Sequence, residues 1–225
     1  MPPETIVVDE VIRTRRKTVA LVVERDGRLV VRAPLRLPQA QIDAFVSSHA
    51  DWVRSRQALV RKNYRPPRQF AAGESFWYLG QQVPLVMVER KRPALSLEGE
   101  FRLARAAQPR AREAFEAWYR AQARPLIEER VAHFAAITGL RGKKIRISSA
   151  RTRWGSCSSR GTLSFTWRLV MAPLAVIDYV VVHELCHLAH PNHSPAFWAR
   201  VASIMPGYKV QRQWLRQHAR DLSLD

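Results

Sequence analysis

Cysteine is scarce: Cys157 and Cys186 are the only two in 225 residues. Two thiols exclude a disulfide framework for a chain of this size, and neither has the paired spacing of a thiolate zinc site. Long apolar runs are missing too. The longest apolar passage, Leu169 to Val182, is interrupted by Pro173 and Asp178, and it is shorter than the ~20 residues a membrane helix needs. The opening MPPETIVVDEVIRTRRK has no apolar stretch of the kind a secretory leader carries. A cytoplasmic chain with reduced thiols and no membrane partner is therefore expected. Acidic residues are few, 19 against 37 Lys and Arg, which leaves a formal net charge of +18. Such an excess attracts polyanions and makes nucleic acid a candidate partner. Gly and Pro are ordinary, and nearly half the residues are apolar. That is the composition of a folded globular chain, long enough for one good core or one core plus a smaller lobe.

The first part of the chain reads as strands around one long helix. Ile6-Val7-Val8, Thr18 to Val23 and Leu29 to Val31 are short β-rich runs, with the turn pair Asp26-Gly27 between the last two. Ile42, Phe45, Val46, His49, Trp52, Val53 and Leu59 recur at helical spacing and predict a helix from about Pro38 to Lys62, stopped by Tyr64-Arg65-Pro66-Pro67. A second β-rich stretch runs from Glu74 to about Leu103, with Gly80 as its first turn. Residues 1–105 hold no cluster of metal ligands or nucleophiles and read as scaffold or substrate platform. Residues 106–225 read as the catalytic portion. There, Phe115, Trp118, Tyr119, Leu126, Ile127, Val131 and Phe134 predict helix, with a kink or break at Pro125 and a stop at Gly139. Strands are expected at Lys144–Ser149 and Thr162–Trp167, flanking a polar loop from Arg151 to Gly161.

The chemistry-bearing segment follows Pro173. Leu174 to His190 is apolar on almost every face and predicts a buried helix. Burying imidazoles and a carboxylate in it is costly without partners, and a metal supplies them. His183 and His187 are four apart, so both can point at one ion. Glu184 is offset by ~100°, from where its carboxylate reaches a bound water without being a ligand. This is the logic of H-E-x-x-H: imidazoles hold zinc, one coordination place stays open for water, and the Glu accepts its proton. For the third ligand His193 is favoured over His190. Pro191 forces its predecessor out of helical geometry, and His183 and His190 stand ~10.5 Å apart along a helix axis. His193 lies beyond that break, just before Ser194-Pro195, an N-cap and first-turn proline for a new helix. The offsets 0, 4 and 10 match the metzincin pattern, but His190 stands where that pattern has Gly.

Several runs carry a resemblance: R-W-G-S-C-S-S (Arg153 to Ser159), W-R-L (Trp167 to Leu169), Y-V-V-V-H-E-L-C-H-L (Tyr179 to Leu188), N-H-S-P-A-F-W (Asn192 to Trp198) and, earlier, D-G-R-L-V-V-R-A-P (Asp26 to Pro34). The chain resembles the YgjP-type zinc metallopeptidases, which are similar to the WLM and SprT-type proteases. The resemblance implies an α+β zincin-like core, with the zinc helix against a small mixed sheet and an N-terminal β-rich lobe. It also implies Zn2+ on His183, His187 and His193, with Glu184 catalytic and a peptide or protein substrate. By the same analogy a strand within Arg151–Thr166 borders the cleft. Alternatives remain at this point: a zinc amidase or other small-molecule hydrolase, or a nucleic-acid-associated protein or protease.

Among the remaining residues, Trp154 is expected to pack and Arg153 to make an ion pair, and Cys157 has no assigned role. Cys186 and Tyr179 are expected to pack, and Tyr208 to be a helix-start aromatic rather than an oxyanion donor. Phe197 and Trp198 open a helix expected to cover the zinc helix.

Overall fold

Asp26 and Gly27 turn the chain as their residue types favour: Gly27 takes φ +90°, and Asp26 accepts from the Arg28 backbone N–H at 3.0 Å. The computed structural model describes residues 6–24, 26–64, 66–90 and 92–225. Arg25, in this turn, and Arg65, in the expected helix stop, lie outside the described residues, as do residues 1–5. By contacts the chain divides into two compact units, Met1–Pro67 and Arg68–Asp225. In the first, β1 (Glu10–Thr14), β2 (Ala20–Val23) and β3 (Leu29–Pro34) form a sheet of order β1-β3-β2. β3 runs parallel to β1 and antiparallel to β2. Ile6 and Val8 are not in a strand; they pack at the edge of this unit's core of Leu29, Val31, Ala33, Ile42, Val46 and Val53.

The expected single helix after Pro38 is two, α1 (Gln39–Ser48) and α2 (Ala50–Asn63), broken at His49 with φ −113° and ψ 18°. The cause is local competition for the Phe45 carbonyl. In a continuous helix it would accept from the His49 N–H; here the Ser48 hydroxyl donates to it at 2.9 Å and His49 Nδ1 lies 2.8 Å away.

The second unit begins with β4 (Ser75–Tyr78), β5 (Gln81–Val88), β6 (Leu95–Glu98) and β7 (Glu100–Ala104), in a mixed sheet of order β4-β5-β7-β6. Phe76, Leu85, Phe101 and Leu103 of these strands share one core with the helices that follow. α3 (Ala111–Thr138) is continuous through Pro125, where a kink or break was expected. Pro125 faces solvent, while Phe115, Tyr119, Ala123, Ile127, Val131 and Phe134 form an unbroken buried stripe. Ala123 fills the gap that Gln122 left in the apolar pattern. Packing along that stripe outweighs the one backbone hydrogen bond the proline removes.

Next come β8 (Lys144–Ser148), β9 (Gly155–Cys157) and β10 (Thr162–Thr166), a second mixed sheet of order β8-β10-β9. β10 is parallel to β8 and antiparallel to β9, so β9 is an edge strand. Three helices complete the unit: α4 (Leu174–Cys186), α5 (Pro195–Ile204) and α6 (Tyr208–His218). Two devices fix α4. The β4–β5 turn donates Leu79 N–H to Val170 O (2.9 Å) and Gly80 N–H to Met171 O (3.0 Å), just before the helix. A Cβ on Gly80 would lie 2.6 Å from Pro173 Cγ, and its φ of +81° also favours glycine. Further along, Arg130 of α3 donates to Asp178 of α4 through Nε (2.6 Å) and an Nη (2.9 Å). Mixed α+β architecture with small mixed sheets is thus established. Among the described residues no helix is long and apolar enough to cross a membrane.

Candidate metal centre

α4 is buried on nearly all sides, through Val176, Ile177, Val180, Val181, Val182 and Leu185. Its last turn brings His183 and His187 together, and the chain then leaves helical geometry: Ala189 and His190 N–H both bond to Cys186 O, at 3.1 and 2.9 Å. The turn returns His193 to the same point before α5 begins. Ser194 caps α5 by accepting from the Phe197 N–H at 3.4 Å, with Pro195 in its first turn.

His183, His187 and His193 are the one group of three or more such side chains, among the described residues, whose ligand atoms could share an ion; these atoms lie within 4.8 Å of one another. His183 Nε2 stands 3.2 Å from His187 Nε2 and 3.0 Å from His193 Nε2. Tetrahedral zinc with ~2.0–2.1 Å bonds to imidazole sets such nitrogens about 3.3 Å apart. The tautomers fit as well. His187 Nδ1 lies 3.0 Å from the His190 carbonyl, to which it donates, leaving its Nε2 lone pair free. His190 thus contributes its backbone, not its ring. Burial, then His187, His193 and Arg212, hold His183 down at about 3, so it is neutral near pH 7. His193 is also lowered, by burial first and then by His187 and Arg212. Imidazole nitrogens facing one another suit a cation better than one another. The donor set therefore fits a divalent metal, and an all-imidazole set suits zinc.

α5 holds the rings in place. Phe197 is fully buried and packs on all three, with centroids at 4.9, 4.5 and 4.9 Å from His183, His187 and His193. Trp198 stacks on His193 at 5.6 Å and on Tyr208 at 5.4 Å. Tyr208 also stacks on Tyr179, so both tyrosines are packed, buried aromatics. His49, His133 and His218 stay outside the cluster.

Glu184 is 5% exposed and its Oε2 is buried without a hydrogen-bond partner. Burial pushes its carboxyl up to about 7, against the opposing pull of Arg153. Glu184 lines, together with His183, a cavity of about 350 Å³ that is also lined by Trp154, Gly155, Arg212, Leu215, Arg216 and Ala219. Neither thiol competes as a nucleophile. Burial raises Cys186 to about 11, and burial and Glu184 raise Cys157.

Gly155, Arg212 and Arg216 escaped the sequence reading. A Cβ on Gly155 would lie 2.5 Å from Glu184 Oε1, so the carboxylate occupies the space a side chain would need. The expected polar loop from Arg151 to Gly161 conceals β9, because Gly-Ser-Cys has no β-branched or alternating apolar pattern. α6 shows the i, i+3, i+4, i+7 spacing of one face in Arg212, Leu215, Arg216 and Ala219, a signal present in the sequence but attached to no motif.

Comparison with known proteins follows the same lines. The family model described as YgjP-like, metallopeptidase domain, matches residues 17–218. A similar solved structure is the metallopeptidase zymogen abylysin of Pyrococcus abyssi, at 23% identity and TM-score 0.37, covering 40% of this chain and 93% of that one. No curated protein sequence matches.

Proposed function

The chain belongs to the YgjP-like metallopeptidase family, and from that premise we propose that it is a zinc-dependent peptidase with a zincin-like core. In this reading His183, His187 and His193 hold the zinc and Glu184 is the general base. The observation that carries it is the approach of three imidazole nitrogens beside a buried carboxylate oxygen that has no partner of its own. Zinc in such a site supplies Lewis-acid activation of water and of a carbonyl oxygen.

The chain's own residues do the rest. Glu184 takes a proton from the attacking water through Oε2 and delivers it to the leaving amine. Gly155 leaves room for that carboxylate, and Phe197 keeps the imidazoles from turning away. β9 offers an unpaired edge beside Glu184, against which an extended peptide can align through main-chain hydrogen bonds. A substrate with a repeating backbone suits such an edge better than a small amide does.

Casein digestion is the test. Wild-type protein should bind one zinc per chain and cut casein, and Glu184→Gln should keep the zinc while losing turnover by at least ~100-fold. Undiminished cleavage by Glu184→Gln would remove it as the base. Cleavage of small amides with casein left intact would move the protein to the amidases.

A further inference from the structure

The cavity lining from α6 has an unusual charge. α6 presents Arg212 and Arg216, one turn apart, with Leu215 buried between them and Ala219 beyond. Like charges at this spacing repel, and among the described residues no carboxylate lies within ion-pair distance of either. Several arginines of the same unit pair with carboxylates, such as Arg105 with Glu89, Arg112 with Asp225, Arg124 with Glu128 and Arg130 with Asp178; what sets Arg212 and Arg216 apart is that both line the cavity. Among the described residues Glu184 is the only acidic side chain lining the cavity, and the proposed function already uses it.

Arg212 is also held in place. Its guanidinium lies over the Trp198 ring at 4.7 Å, and Trp198 stacks on His193. A cation fixed on an aromatic face has less freedom to lose on binding an anion. Tyr179 and Val180 of α4 also line the cavity and add apolar surface to it. At about 350 Å³ it is small for a binding pocket, with room for one or two residues rather than a folded segment. A divalent cation on three neutral imidazoles would add positive charge without a ligand carboxylate to offset it.

We infer that Arg212 and Arg216 select substrates by a carboxylate, gripping it beside the bond to be cut. The guanidinium fork matches a carboxylate in geometry as well as in charge. Two sources carry that group on a peptide: the free C-terminus and an Asp or Glu side chain. The inference rests on the peptidase reading for the bond that is cut, but not for the anion that is held.

Binding is read on zinc-loaded protein carrying Glu184→Gln, titrated into dansyl-labelled alanine-based hexapeptides. The set varies one side chain, Glu or Gln, and the C-terminus, free or amidated. The carboxylate-bearing member of one pair should bind at least ~10-fold more tightly. Arg212→Gln and Arg216→Gln should each erase most of that preference. Lys209→Gln, which removes an exposed charge of α6 that does not line the cavity, should leave it intact. A preference that follows the Glu side chain identifies an internal acidic residue as the ligand; one that follows the free terminus identifies the α-carboxylate. Equal binding of all four peptides overturns the inference, and so does a preference that survives both arginine variants. Displacement of the peptides by single-stranded DNA at lower concentration, dependent on Arg212, assigns the pair to phosphate and overturns it as well. Casein cleavage by wild-type protein separates the two levels. Casein cut without any charge preference sinks only this inference, whereas a preference with casein uncut sinks the peptidase reading and leaves the carboxylate site standing.

Discussion

Gly155 and Glu184 share one volume: a Cβ on Gly155 would sit 2.5 Å from Glu184 Oε1 and 2.6 Å from its Cγ. Strand β9 and helix α4 therefore meet at a residue that has no side chain. Gly155→Ala should push the carboxylate from its position while leaving the three imidazoles untouched. Misplacement of a reacting group by about 1 Å costs on the order of 100-fold in rate. Casein turnover should fall accordingly while zinc stoichiometry by mass spectrometry stays at wild type. Loss of zinc together with activity would show that Gly155 supports the ligands rather than the base.

His190 and His193 separate by their roles. His190 offers a backbone carbonyl to His187 Nδ1 at 3.0 Å, and its ring stays outside the cluster. His193 supplies Nε2. Accordingly His190→Ala should keep metal affinity within a few-fold of wild type, and His193→Ala should lower it by more than ~100-fold, beyond the loss typical of an outer partner. Competition against a chromogenic chelator measures both. Equal losses in the two variants would put the third ligand in doubt.

Much of this centre was legible because its logic is local. His183, Glu184 and His187 are spaced by helix geometry, and Pro191 and Ser194-Pro195 announce a turn and a restart. What the sequence concealed depends on contacts across the fold. Gly155 matters only because α4 packs against it, and a bare Gly-Ser-Cys run looks like loop. Arg212 and Arg216 look like two of many arginines until α6 is laid along the cavity. The same holds for the helices. Pro125 is a break by local rules but is overridden by a buried stripe along a 28-residue helix, and His49 continues the helical spacing yet ends a helix because it and Ser48 take the Phe45 carbonyl.

The buried carboxyl should also make the metal-free protein sensitive to pH. Glu184 has a pKa of about 7 in the fold, against 4.5 as the ordinary value. A carboxyl raised on folding favours the fold fully below about pH 4.5, and that contribution is lost as pH rises through about 7. At 1.36 kcal/mol per unit the loss is about 3 kcal/mol. His183 works the other way, favouring the fold above about 6.5 and less so as pH falls toward 3, but it is common to wild type and Glu184→Gln. Urea denaturation in EDTA at pH 5 and pH 8 should show wild type losing about 3 kcal/mol relative to Glu184→Gln over that interval. Parallel pH dependence in the two proteins would mean that water or a partner reaches the carboxylate.

The Arg130–Asp178 pair ties α4 to α3, and its contribution depends on how it is removed. Both side chains are mostly buried, at 16% and 13% exposure, with contacts of 2.6 and 2.9 Å. Asp178→Asn keeps the shape but leaves the Arg130 charge with only the mostly exposed Glu129 at 3.8 Å, at a cost of about 2–3 kcal/mol. Replacing both members with apolar side chains in Arg130→Met/Asp178→Leu removes two desolvated charges at once and should recover most of that loss. Urea denaturation of the single and double variants measures the difference directly. If the double variant were as unstable as Asp178→Asn, the pair would be stabilising in its own right rather than two charges that must be kept together. Zinc affinity followed in the same variants then shows whether α4 needs the tie for register or only for stability, because a helix that slides carries His183 and His187 away from His193.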